Sequence, residues 1–146
     1  MKNQLFLLLL LAILGGCQPK PIKPITDLLG KVWKANTVNE ADRLVFALGA
    51  TTNIKPGYTN FRLDLSQPDK VNLKDIDGRL VTGTWSVSTD NKRLILDNLN
   101  PKPTNTGGRI EYYILAVPDG SSLQLERTSE SRKTGNTIDQ YDLIPD

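Results

Sequence analysis

The strongest constraint on the fold is a period-two alternation of apolar and polar residues in short runs, which is typical of strands with one buried face. The clearest example is the stretch 83–96, which reads GTWSVSTDNKRLIL. One face of its first arm carries Val81, Gly83, Trp85 and Val87. Residues 88–92 have the Ser, Asp and Asn side chains that favour a turn, and an apolar run at 94–96 follows. This pattern predicts a β-hairpin with a tryptophan on its buried face.

Comparable runs recur along most of the chain, and no long amphipathic helix interrupts them. The predicted strands cover about residues 31–38, 44–48, 60–65, 71–73, 110–115, 123–127 and 138–144, besides the hairpin. Asp77-Gly78 is a hairpin signal. Eight or nine short antiparallel strands must protect their edges, and an up-and-down barrel of about eight strands does so. A two-sheet sandwich is the competing solution, which periodicity alone leaves open.

Polar stretches and one helical turn separate these runs. Residues 26–30 predict one short helical turn, with Thr26 or Asp27 as its cap and Gly30 as its end. Residues 49–57, 98–108 and 128–137 are predicted to be loops, the last of them mobile. At that last loop, Arg127, Arg132 and Lys133 lie near Glu126 and Glu130 and are predicted to form a solvated mixed-charge loop rather than an anion site.

The first 25 residues divide into a signal and a tether. Lys2 precedes an apolar run at 5–14, which is too short to span a bilayer of about 20 helical residues. Residues 1–16 are therefore predicted to be an export signal peptide. Residues 17–25 contain three prolines and predict a stiff, extended tether. Residues 26–146 form a single domain of ordinary size.

Cys17 is the only cysteine, so it cannot form a disulfide within the chain. The sequence Leu14-Gly15-Gly16-Cys17 resembles the lipobox of bacterial lipoproteins. That resemblance implies cleavage before Cys17, diacylation of its thiol with chains such as palmitate, and acylation of the new amino terminus. The alternative is an ordinary signal peptide followed by a chance cysteine. Gln18, in place of an aspartate, implies delivery to the outer membrane, with the domain facing the periplasm and the cell surface as the alternative.

Composition excludes several functions. The chain has no histidine, which removes histidine-based triads and histidine-ligated zinc. Its net charge is +2 and its basic residues are scattered, so no nucleic-acid surface is predicted. Asp69, Asp75 and Asp77 fail the spacing of a calcium loop and are better explained as turn residues. No carboxylate pair stands out for catalysis. We therefore expect a monomeric protein that is not an enzyme and has no metal or cofactor.

Four groups of residues together resemble a known family. These are Leu28-Leu29-Gly30 before Trp33, the strand 83–87, the turn 90–92 before the apolar run 94–96, and the late hairpin 113–125. With these features, residues 26–144 resemble the lipocalin-like domains of small bacterial lipoproteins. The resemblance implies an eight-stranded antiparallel barrel with its N-terminal turn plugging one end. It implies no defined activity.

The candidate ligand-binding residues are the aromatic side chains Trp33, Phe61, Trp85 and Tyr112. The competing interpretation is that the tryptophans are core residues, since each buries about 150–250 Å². The predicted function is that of a membrane-anchored lipoprotein whose barrel binds a small apolar ligand or an envelope component. The alternative is a protein-binding or inhibitor module that acts through its loops and outer surface. A hydrolase that uses carboxylates alone is a third hypothesis.

Overall fold

The computed structural model describes residues 21–146, so the predicted signal peptide, Cys17 and the start of the tether lie outside the described residues. The predicted helical turn is present as α1 (Ile25–Leu29), but its N-cap is Pro24 rather than Thr26 or Asp27. Nine strands follow it. They are β1 (Val32–Glu40), β2 (Arg43–Ala47), β3 (Arg62–Gln67), β4 (Lys70–Lys74), β5 (Leu80–Val87), β6 (Arg93–Asn100), β7 (Ile110–Ile114), β8 (Leu123–Arg127) and β9 (Asp139–Pro145).

The strands form one closed antiparallel sheet. Consecutive strands pair from β3 to β9, and β9 returns to pair with β1 along most of its length. On its other edge, β1 pairs with β3 near its start and with β2 near its end. The barrel therefore has eight strands, with β2 as one extra strand. The predicted up-and-down barrel is confirmed, and the sandwich alternative is wrong.

The predicted hairpin 83–96 is formed by β5 and β6, with Trp85 opposite Leu96. The register between these strands shifts because Asn98 adopts a left-handed φ of 53°. The shifted segment of β6 passes close to Gly83 on β5. A Cβ atom at residue 83 would lie 2.5 Å from the Asp97 carbonyl oxygen. Only glycine fits this position without moving the backbone, which explains the glycine within the alternating run.

One apolar core fills the barrel, because side chains of the eight barrel strands point inward largely in alternation. One end of the barrel, the helix end, is covered by α1, whose Leu29 is fully buried beside Trp33. The implied plug is thus present. The opposite end, the loop end, is covered by a 3₁₀ helix at Pro56–Asn60, by residues 101–109 and by a second 3₁₀ helix at Arg132–Thr134.

The loop predictions need three corrections. The 3₁₀ helix Pro56–Asn60 begins inside the predicted loop 49–57. β6 continues to Asn100, so the predicted loop 98–108 begins as a strand. The predicted loop 128–137 contains the short helix Arg132–Thr134 and a bridge between Ser131 and Thr137, because its hydroxyl groups bind inward. Within residues 21–146, no helix is both long and apolar enough to cross a bilayer.

Candidate functional site

The loop end contains a small internal cavity of about 30 Å³. A cavity holds a water molecule once it offers about 10–15 Å³, so this space suits one or two waters and no larger ligand. Its lining mixes aromatic, hydroxyl and charged groups; it includes Tyr58, Phe61, Asp75, Ile110, Tyr112, Arg127, Ser131, Lys133, Thr134 and Tyr141. This part of the barrel is therefore filled by its own side chains.

An aromatic cluster forms the wall of this cavity, with Tyr141 at its centre. Phe61 stacks on Tyr141 with ring centroids 5.1 Å apart, and Tyr112 and Tyr58 meet it edge to face at 5.9 and 6.2 Å. Phe46 adds a further contact to Tyr58 at 6.1 Å. Such aromatic pairs contribute about 0.5–1.5 kcal/mol each to stability beyond the effect of the area they bury. The cluster therefore opposes opening of the loop end.

The three tyrosines remain protonated across the physiological pH range. Burial raises the pKa of Tyr112 to about 12. Burial also raises the pKa of Tyr141 well above its ordinary value, with the neighbouring phenols and Asp139 adding to the effect. For Tyr58, burial and the charge of Glu40 raise the pKa. Their hydroxyl groups are therefore hydrogen-bond donors and are not candidates for a general base.

Two buried carboxylates lie at the same end of the barrel, where Glu40 on β1 pairs with Asp139 on β9. Glu40 accepts a hydrogen bond from the Tyr58 hydroxyl at 2.9 Å and forms an ion pair with Lys55. Asp139 is fully buried and accepts hydrogen bonds from Thr137 Oγ1 at 2.6 Å and Thr134 Oγ1 at 3.0 Å. Burial raises the pKa of Asp139 although both hydroxyl groups favour its charged form.

Arg127 is the buried cation of the site. It is 7% exposed, its Nε donates to the Ser129 carbonyl oxygen at 3.1 Å, and it lines the cavity. Within the part of the chain that the structure describes, Arg127 makes no ion pair. Its charge lowers the pKa values of Tyr112 and Asp139, against the larger effect of burial. The guanidinium thus partly offsets the buried charge of Asp139.

The structure separates the four predicted ligand-binding residues into two places. Phe61 and Tyr112 line the cavity at the loop end. Trp33 lies at the helix end, where its indole nitrogen donates to the Leu29 carbonyl oxygen at 2.9 Å. Trp85 donates to the Gln67 carbonyl oxygen at 3.0 Å and lines an outer groove beside α1. All four side chains are buried. Because two lie at the loop end and two toward the helix end, they do not form one site.

The sequence reasoning missed the polar residues of the loop end. The prediction that Arg127 belongs to a solvated loop is wrong, because Arg127 is the last residue of β8, opposite Tyr112, and is buried. Lys133 does belong to a mixed-charge surface, where it donates to Asp75 at 2.6 Å and to Asp77 at 3.0 Å. Glu40 lies just beyond the predicted strand 31–38 and Asp139 near the start of the predicted strand 138–144, but no pattern indicated that they are buried as a pair.

The closed antiparallel meander of eight strands, with a helical turn across one end, is a lipocalin-like fold. Eight strands of this size enclose either packed side chains or one small ligand. Neither a family model nor a curated protein matches the chain.

Two solved structures from Bacteroides are similar to this chain. One is a lipocalin-like protein from Bacteroides uniformis, with 14% identity and a TM-score of 0.49, covering 82% of this chain and 99% of that one. The other is an uncharacterized protein from Bacteroides eggerthii, with 8% identity and a TM-score of 0.46, covering 80% of this chain and 98% of that one. Similarity at this level carries no information on ligands or partners.

A second notable surface lies on the outside of the loop end. Three aliphatic side chains, Leu44, Leu48 and Ile54, are exposed along β2 and the loop that follows it. This loop folds back on β2, because Asn53 bonds both the amide and the carbonyl group of Ala47. We call the surface formed by these three residues the β2 face.

Proposed function

We propose that the protein is a lipoprotein of the outer membrane, anchored through acylated Cys17, whose barrel is a non-enzymatic binding module facing the periplasm. In this proposal the barrel binds an envelope component, a protein in particular, with its outer surface. The observation that supports it best is the filled interior, whose cavity of about 30 Å³ at the loop end has no room for a small apolar ligand. Binding must then use an exposed surface.

The β2 face is the surface that we propose for this contact. Its three aliphatic side chains are exposed, and the loop that carries Ile54 is fixed by the hydrogen bond from Lys55 N–H to the Val45 carbonyl oxygen, at 3.0 Å. The Lys55 side chain forms an ion pair with Glu40. Apolar residues on a fixed backbone cost little ordering entropy on binding. An apolar centre with a charged rim is also the usual composition of a protein interface.

Photo-crosslinking in intact envelopes tests this function. A photoreactive amino acid at Leu48 is expected to form a discrete cross-linked product. The same residue at Leu80 serves as the matched control, because Leu80 is similarly exposed but lies on β5, with β1, β3 and β4 between it and β2. Equal labelling from both positions, or none from Leu48, would refute binding through the β2 face.

The second candidate function is the binding of one small ligand inside the loop end. The observation that favours it is Arg127, a buried cation that lines the cavity without an ion pair among the described residues. The ligand would have to be polar, since the cavity is lined by hydroxyl and charged groups, and residues 101–109 would have to move away. Isothermal titration of the Arg127→Leu variant against any ligand found would test this role, with unchanged affinity counting against it.

A further inference from the structure

Three exposed aliphatic side chains surround one groove at the helix end. Ile22 is 97% exposed, Val117 is 84% exposed and Leu115 is 50% exposed. All three line a groove of about 580 Å³ between the start of the described chain, the β5–β6 turn and the loop after β7. We call these three residues the apolar rim. Single exposed aliphatic residues need no explanation, but a group around one groove marks an interaction surface.

Two hydrogen bonds fix the loop that carries Leu115 and Val117. Lys31 Nζ donates to the Gly120 carbonyl oxygen at 2.7 Å, which ties the loop after β7 to the start of β1. Leu115 N–H donates to the Gln124 carbonyl oxygen at 3.0 Å, which continues the pairing of β7 and β8. The rim is therefore presented by the same end of the barrel that α1 covers, away from the β2 face.

The length of chain before the described residues indicates what covers the rim. Cys17 lies four positions before Pro21, and four residues span at most about 14 Å even when fully extended. The headgroup region of one leaflet is about 5–7 Å thick. If acyl chains hold Cys17 at the bilayer, as the proposed function requires, the helix end lies within reach of the headgroups.

We propose that the apolar rim docks on the lipid surface, so that the helix end faces the membrane and the loop end points into the periplasm. The groove is also lined by two lysines, Lys23 and Lys92, and by Asp90. The Asp90 carboxylate already accepts hydrogen bonds from Ser88 Oγ and the Lys92 N–H. The lining thus has a net positive charge, which suits a surface that contains anionic lipid.

Depth-dependent fluorescence quenching in vesicles tests the docking. The full-length protein, processed and acylated, is reconstituted in vesicles of phosphatidylethanolamine and phosphatidylglycerol. A thiol-reactive fluorophore is attached to a Leu115→Cys variant or, as the matched control, to a Leu80→Cys variant. Leu80 is similarly exposed, at 55%, but lies at the loop end of β5. Eight residues of a tilted strand separate the two ends by about 20 Å.

Brominated lipids are expected to quench the Leu115 label at least several-fold more than the Leu80 label. Equal quenching of the two labels, with the protein on the vesicles, would refute the docking and leave the anchor intact. A protein that does not sediment with vesicles would refute the anchor, and the docking with it. Protection of the Leu115 label from soluble iodide without vesicles would also refute the docking, because a chain segment or a second copy would then cover the rim.

Discussion

Gly83 offers the sharpest test of the barrel packing, because its place in β5 leaves no room for a side chain. In a Gly83→Ala variant, the new Cβ would lie 2.5 Å from the Asp97 carbonyl oxygen and 2.9 Å from Leu99 Cδ2. Ordinary contact begins at 3.4 Å, so the first distance is almost one ångström too short. The leucine methyl group can move, but the carbonyl group belongs to the backbone of β6.

The expected cost follows from the pairing around this residue. Separating β5 from β6 at Gly83 strains the neighbouring pairs Thr82–Asn100 and Thr84–Asp97. A strained backbone hydrogen bond loses up to about 0.5–1.5 kcal/mol, and overpacking costs about 1–3 kcal/mol. The lower entropy of the unfolded alanine chain returns about 0.4–1 kcal/mol. We expect the free energy of unfolding to fall by about 2–3 kcal/mol.

Urea unfolding followed by tryptophan fluorescence measures this change, since Trp33 and Trp85 are both buried. The midpoint should fall while the m-value stays the same. The control is a Ser86→Ala variant on the same strand, where the side chain is exposed and the change should stay within about 0.5 kcal/mol. If Gly83→Ala unfolds like the control, the close approach of β6 to β5 is wrong.

Three further predictions concern the anchor and the loop end. A Cys17→Ser variant should move from the membrane fraction to the soluble fraction, and retention in the membrane would contradict acylation. A Tyr58→Phe variant should lose about 1–3 kcal/mol of stability in chemical denaturation, because one oxygen of buried Glu40 loses its donor; an unchanged midpoint would contradict this. Because burial raises the folded-state pKa of Asp139 above its unfolded value of about 3.9, protonation favours the folded protein. Relative to an Asp139→Asn variant, the wild type should therefore gain stability as the pH falls from about 7 to about 4, and a difference that does not vary with pH would refute the raised pKa.

The fold was largely predictable because alternation is a local signal. The hairpin 83–96 and the strand at 60–65 each show their buried face in the sequence, and the structure confirms both. Closure of the barrel was not visible in the pattern, since it depends on the pairing of β1 with β9, which are about a hundred residues apart. The competing sandwich has the same local alternation, and only this pairing excludes it.

The candidate site was less predictable because burial of polar groups is a tertiary property. Arg127 stands beside charged residues in sequence, yet it is the last residue of β8, where it pairs with Tyr112 of β7 and is buried. The four predicted aromatic residues are all buried, as alternation indicates. The end of the barrel that each occupies depends on its position along its strand and on the direction of that strand. Phe61 and Tyr112 therefore meet at the loop end, while Trp33 and Trp85 lie toward the other end.

The most direct test of the central claim is native mass spectrometry of the mature protein extracted from its membrane in mild detergent. The account holds that the barrel is filled and that binding uses its outer surface. It predicts a chain that begins at Cys17, carries acyl groups and retains no further small molecule inside the barrel. One apolar molecule per chain, released only when the barrel unfolds, would contradict the account.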